Sequence, residues 1–225
     1  MRLTTLFFSL LALPVFTAAA ESPAALMKRL APDADPRVLD LALEARDCAA
    51  GQFGGAPSPR LAVIDYSLPS TTPRLWVFDL ANRQLLFHEL VAHGQGTGEN
   101  LARRFSNRDG SHQSSLGLFR TGGTYQGRNG YSLRMEGLEP GVNDAAMARA
   151  IVMHGARYVN PATARQLGRL GRSWGCPAVR PEVAAAVIDS LKNGQMIFAY
   201  YPDSDWLAKS PFLDCDKRRS LAVAP

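Results

Sequence analysis

The stretches I-V-M-H-G at 151–155 and G-R-S-W-G-C-P-A-V at 171–179 decide the reading of this chain. Each sets a chemically able side chain, His154 or Cys176, near glycine, which lets the backbone turn sharply and approach a substrate closely. A thiol needs a base to become a good nucleophile, and an imidazole supplies one near neutral pH. Read singly, a histidine closing an apolar strand is a structural residue, and a lone cysteine is a small buried hydrophobe. Read together, with Gly175 before the thiol and Pro177 after it fixing an exposed turn ahead of a helix, they point to acyl transfer by cysteine. Such a turn also presents backbone N–H groups to a developing oxyanion.

Residues 150–153 read as a buried strand that delivers His154, and 161–169 as a short helix. Pro181 opens a further helix whose Val183, Ala184, Val187, Ile188 and Leu191 share one face, with Gly194 as its stop. The strand Q-M-I-F-A-Y-Y at 195–201 follows. Upstream, 61–66, 75–80 and 84–91 are short runs of branched and aromatic residues, the last two forming a hairpin across 81–83. Residues 116–121 and 131–136 also read as strands, 144–149 as a helical turn, and the glycine-rich, polar 94–115 and 121–130 as loops. Near the start, Ser22-Pro23 and Asp35-Pro36 each put a capping side chain before a proline at the first helical position. Val38, Leu39, Leu41, Ala42, Ala45 and Cys48 continue the second helix to a stop at Gly51. The expected fold class is α+β, predominantly β, with an N-terminal helical segment.

Residues 1–20 carry Arg2, an apolar run and Ala18-Ala19-Ala20, which reads as a cleaved secretory signal; the run is shorter than the ~20 residues of a membrane helix, the reading that competes with it. Removal of Arg2 takes the 25 basic residues to 24 against 20 acidic ones, a net charge near +4. Mild basicity suits a polyanionic envelope but serves equally as a solubility device. The expected organisation is signal 1–20, helical segment and linker 21–58, catalytic domain 59–201 and a charged, proline-punctuated surface tail 202–225. An oxidising compartment with three cysteines leaves one free thiol after one bridge. Cys48 closes a helix and Cys215 sits in the tail, so these two are paired and Cys176 is left free; three unpaired buried cysteines are the alternative.

Other motifs are decoys. In H-E-L-V-A-H at 88–93 the histidines are five apart, roughly 140° around a helix rather than on one face, and on a strand they point to opposite faces. G-Q-G-T-G at 94–98 misplaces the third glycine of a dinucleotide fingerprint and reads as a flexible loop. No Cys-x-x-Cys occurs. No cofactor, metal, nucleic-acid partner or membrane span beyond the signal is indicated.

H-G followed 22 positions later by S-x-G-C resembles the catalytic signature of the L,D-transpeptidases of bacterial cell-wall synthesis, whose usual form is S/T-H-G-C. S-S-L-G-L-F at 114–119, Y-Q-G-R-N-G-Y-S-L-R at 125–134, G-V-N-D at 141–144 and C-P-A-V-R-P at 176–181 extend the likeness to the YkuD-like murein L,D-transpeptidase catalytic domain family, over roughly 60–201. The resemblance implies a periplasmic enzyme acting on peptidoglycan stem peptides and acylated by carbapenems. Cys176 becomes the nucleophile, His154 the general base, the Gly155 carbonyl the group orienting the imidazole, Ser173 a hydrogen-bonding support, and the Gly175 and Cys176 N–H groups the oxyanion hole. Tyr125, Arg134, Arg180 and Trp174 are candidate substrate contacts. Two departures stand out: Trp174 replaces the second histidine of S-H-G-C, and Ala178 replaces an arginine that often follows the cysteine.

The implied reaction has two steps. Cys176 thiolate attacks an L-centre carbonyl of a stem while His154 protonates the departing amine, and an acceptor amine then resolves the thioester. The resembled branch is associated with a linkage from L-Ala at position 1 to diaminopimelate at position 3, so the departures leave this link as well as the usual 3,3 link open, with loops 94–98 and 121–130 as edges of the cleft. A hydrolytic L,D-carboxypeptidase, an enzyme attaching another amine, and a non-catalytic wall-binding domain are the rivals; a depressed thiol pKa is expected of the enzymes.

Overall fold

Eight strands form one sheet in the order β3-β2-β1-β8-β4-β5-β6-β7 in the computed structural model, which describes residues 20–215. The signal reading lies outside these residues. The strands are β1 (Arg60–Asp65), β2 (Leu75–Asp79), β3 (Gln84–Glu89), β4 (Gly117–Gly127), β5 (Gly130–Gly137), β6 (Val152–Gly155), β7 (Ala178–Val179) and β8 (Met196–Tyr200). The pairs β1–β8 and β6–β7 are parallel, and the other neighbours antiparallel. Every residue of β2 and β8 and all of β1 after Arg60 is buried, so these strands are covered on both faces and read as continuous apolar runs.

The helices are α1 (Pro23–Leu30), α2 (Pro36–Phe53), α3 (Pro161–Leu167), α4 (Pro181–Leu191) and α5 (Ser204–Lys209). Ser22 and Asp35 cap the first two as their residue types dictate, accepting from Ala25 N–H (3.2 Å) and Arg37 N–H (2.8 Å). Helix α2 lies against β1 and β8, and α4 against β1, β5 and β6. The Cys48–Cys215 disulfide ties α2 to the C-terminal segment across 167 residues, with Cα atoms 6.0 Å apart, and Cys176 is free.

Three expectations are corrected. Helix α2 runs past Gly51 because its left-handed cap, the conformation glycine tolerates best, is at Gly54 (φ 73°). Residues 121–130 are not a loop: β4 and β5 form one long hairpin that turns at 128–129, with a register shift between Thr121 and Thr124 absorbing its glycines. The helical turn expected at 144–149 is present, with Arg149 N–H donating to Ala145 O (2.9 Å). The tail does not merely wrap the surface, since Asp203 caps α5 and Trp206, Phe212 and Leu213 are buried. Among the described residues, no helix is long and apolar enough to cross a membrane.

The order β5-β6-β7 positions the chemistry. A crossover through α3 returns the chain parallel to β6, so β7 pairs His154 with Ala178 and Gly155 with Val179. Cys176, two residues before Ala178, is thereby set beside Val152, two residues before His154.

Candidate active site

The thiol of Cys176 accepts from Val152 N–H (3.4 Å) and donates to Ala150 O (3.7 Å). Only 9% of the residue is exposed. Burial pushes the thiol above its usual value, against smaller lowering from Val152 N–H, Arg149 and the residue's own N–H. The direction is opposite to the depressed thiol pKa expected, since burial favours the neutral S–H over the thiolate.

His154 is 5% exposed, and burial lowers its pKa while the bond to Gly155 O opposes the shift. Its Nδ1 lies 3.0 Å from that carbonyl, which can only accept. Nδ1 therefore carries the hydrogen and Nε2 presents a lone pair, the form a general base needs. No hydrogen bond joins imidazole and thiol in this state. The pair is a neutral base beside a neutral acid.

Ser173 organises the turn that carries Cys176. Its hydroxyl donates to Cys176 O (2.6 Å) and accepts from Gly175 N–H (3.1 Å). The second contact corrects the expected oxyanion hole, because the Gly175 amide is already engaged inside the loop. The Cys176 amide stays beside the sulfur. Gly175 is required here: φ is 121°, and an added Cβ would fall 2.7 Å from Gln113 O.

The 94–98 segment is stitched into the site rather than flexible. Ser173 N–H donates to His93 O (3.0 Å), Gln95 N–H to Ser173 O (2.8 Å) and Gly96 N–H to His112 O (2.9 Å). Behind it sits a buried polar network. Arg74, fully buried, donates to Val91 O (3.1 and 3.0 Å), Leu68 O (2.7 Å) and His93 Nδ1 (2.7 Å), and its guanidinium lies 5.1 Å from the Tyr66 ring centre. Tyr66 hydrogen-bonds Ser114, whose hydroxyl donates to Gly175 O (2.9 Å) and accepts from Gly94 N–H (3.0 Å). Burial, then Arg74, lowers His93 to about 4, and burial raises Tyr66 to about 12. These groups hold the turn without entering the chemistry. His88, by contrast, is on β3, stacked on Trp76 at 5.0 Å.

Arg149 was missed by sequence reasoning. Its guanidinium gathers Ser106 O (2.7 Å), Ser115 Oγ (2.7 Å), Ser111 Oγ (3.3 Å) and Gln113 O (2.6 Å), pinning the 106–115 loop beneath the nucleophile turn. Nη2 lies 3.4 Å from where a Gly175 Cβ would stand, and its charge favours thiolate. Its one sequence signal is a cation five residues before His154.

The four candidate contacts divide. Tyr125 pairs with Ser132 and Ser132 with His154, so Tyr125 lies in the imidazole's row, and Arg134, stacked 4.5 Å over the Tyr125 ring, shares that face by strand parity. Trp174 is 67% exposed at the turn. Arg180 is corrected: its guanidinium grips the Glu89 carboxylate with two bonds (2.9 and 2.7 Å), anchoring β3 to the start of α4 instead of waiting for a substrate carboxylate. Ala178 is fully buried between His154 and Ala92, where no arginine fits. Among the described residues no group of three or more His, Cys, Asp or Glu could hold a metal.

A family model described as L,D-transpeptidase catalytic domain matches residues 30–200. Comparison with curated proteins finds no match. Among solved structures, the chain is similar to an L,D-transpeptidase from Mycobacterium smegmatis (15% identity, 65% of this chain and 61% of that one, TM-score 0.40) and to L,D-transpeptidase 3 from Mycobacterium tuberculosis (12%, 65% and 63%, 0.42). Another is an L,D-transpeptidase from Xylanimonas cellulosilytica (16%, 68% and 68%, 0.33). The chain thus spans 61% and 63% of the length of the two mycobacterial structures. The sequence match over 30–200 carries the assignment: this chain belongs to the L,D-transpeptidase catalytic domain family.

Proposed function

We propose that the protein is an exported, periplasmic peptidoglycan L,D-transpeptidase that works through a Cys176 thioester. The observation that carries this reading is the free thiol set against the strand of a histidine whose Nδ1 is fixed on Gly155 O. Since both groups rest neutral, the Cys176 proton passes to His154 Nε2 as sulfur attacks the stem carbonyl. His154 then hands that proton to the departing amine, and the acceptor amine reverses the sequence. The Cys176 N–H supports the oxyanion, and Arg149 favours the charge that sulfur develops. Tyr125 and Arg134 border the stem on the His154 face. Family membership supports stem peptides as substrate and carbapenems as acylating inhibitors. The branch that the sequence resembles is associated with joining position-1 L-Ala to position-3 diaminopimelate, and on that ground the 1,3 link is put ahead of the 3,3 link, with Trp174 standing where the common signature has histidine.

Incubation with purified sacculi and tandem mass spectrometry of the released muropeptides tests this. Cross-linked dimers formed by the wild type and absent with Cys176→Ala are expected. Hydrolysed stems without dimers would instead establish the carboxypeptidase, and dimers linked solely 3,3 would refute the altered register.

A further inference from the structure

Trp174 is the exposed member of the three tryptophans, 67% accessible where Trp76 is 1% and Trp206 5%. It does not hang free. The His112 ring stacks on the indole at 4.9 Å and 7° between planes, covering one face and leaving the other bare. His112 is held in the left-handed region (φ 51°), and its Nδ1 accepts from Gln95 Nε2 (2.8 Å). Since Nδ1 accepts, Nε2 carries the hydrogen and offers a donor at the platform's edge. Gln95 is bonded through its own N–H to Ser173 O, so the platform is built onto the nucleophile turn. Keeping a large indole face in water while a strained residue backs it costs free energy, and among the described residues His112 alone stacks on that indole.

We propose that the Trp174–His112 stack is a saccharide platform that seats the amino-sugar ring from which the donor stem hangs. The apolar C–H face of a pyranose lies on a flat aromatic, while its hydroxyl and acetamide groups meet a polar rim, here His112 and Gln95. Lipid is disfavoured because the rim is polar. A substrate ammonium is disfavoured by nearby Arg172 and Arg149 and the chain's net charge of +5. Trp174 Cα is within ~7 Å of Cys176 Cα even at full extension, so the platform belongs to the same turn as the thiol. The proposal rests on the transpeptidase reading and adds the glycan to its substrate.

The test uses the peptide-free N-acetylglucosamine–N-acetylmuramic acid disaccharide and two donors, a stem with that disaccharide and the same stem without it. Titrating Cys176→Ala with the disaccharide is expected to give a saturable change in tryptophan fluorescence that disappears in Cys176→Ala/Trp174→Ala. In kinetics, Trp174→Ala should raise KM for the glycan-bearing donor about tenfold, the equivalent of ~1.4 kcal/mol, and about fivefold more than for the bare stem, with Trp174→Phe restoring most of the difference. No saturable response, or equal KM increases for both donors, overturns the platform. If neither donor acylates wild-type Cys176, the transpeptidase reading fails, while the disaccharide titration still decides the platform.

Discussion

Two buried histidines lie at the two sides of the nucleophile turn. At His93 both nitrogens are engaged, Nδ1 by Arg74 and Nε2 toward Gly98 O at 3.3 Å, and burial beside a cation holds the ring neutral down to about 4. At His154 one nitrogen is fixed by Gly155 O and the other is left to accept a proton. Burial alone therefore does not mark a catalytic histidine. His154 keeps a ring nitrogen uncommitted and so able to take a proton, whereas the fully engaged His93 braces the Cys176 turn, its carbonyl accepting from Ser173 N–H.

The comparison breaks first at the catalytic side. Cys176→Ala and His154→Ala should each lower transfer by ~10³-fold or more, because nucleophile and base act as a unit, while thermal unfolding stays near wild type. Activity surviving in Cys176→Ala would end the assignment. Reducing the Cys48–Cys215 bridge should cost roughly 4 kcal/mol in urea unfolding, given its long loop, yet leave Cys176 able to form an adduct in the folded fraction. Peptide mapping that finds three free thiols in the native protein would contradict the pairing.

The structural side should fail differently. Arg74→Met strips donors from Val91 O, Leu68 O and His93, and a loss of about 3 kcal/mol is expected in the same assay. His93 adds a pH signature. Its folded pKa is depressed, so an unfolded imidazole takes up a proton below about 6.5 that the native one refuses until about 4. Stability should fall as pH drops through that window, by up to about 3 kcal/mol, and the wild-type slope should flatten in His93→Gln. Identical slopes in the two proteins would refute the neutral, buried assignment.

The smallest effect sharpens the catalytic side. Arg149→Lys keeps the charge but not the fork that reaches four oxygens, and a roughly tenfold fall in kcat is expected. Removing the charge as well, in Arg149→Met, should move the pH dependence of thiol alkylation upward. An unchanged alkylation profile would leave Arg149 as a loop clamp only.

The sequence shows what local chemistry dictates. Ser22-Pro23 and Asp35-Pro36 are read correctly because a cap needs only its neighbours, and H-G with S-x-G-C is visible because the chemistry itself demands those residue types. The β4–β5 hairpin is hidden because its glycines signal turns locally while the pairing that straightens them is between strands. Gly117 (φ 96°) illustrates the same limit: its missing side chain makes room for the Glu139 carboxylate, which accepts from Leu118 N–H (2.7 Å), a contact 21 residues distant. Arg149 and Ser114 belong to loops whose polar composition signals solvent, although they brace the nucleophile turn. Arg180 misleads in the opposite sense, since an arginine beside the catalytic motif looks available until β3 delivers Glu89 to it.

The central claim is that a neutral Cys176 becomes the acyl carrier when His154 Nε2 takes its proton. Rapid acid quench after mixing the protein with a muropeptide donor, followed by intact-mass and peptide-mapping spectrometry across pH, tests it directly. The account predicts a thioester on Cys176 whose formation rate falls on the acid side with a midpoint below the ordinary imidazole value of 6.5, as the lowered His154 pKa requires, and which is lost in Cys176→Ala. An acyl group on any other residue, or turnover that persists in Cys176→Ala, would contradict it.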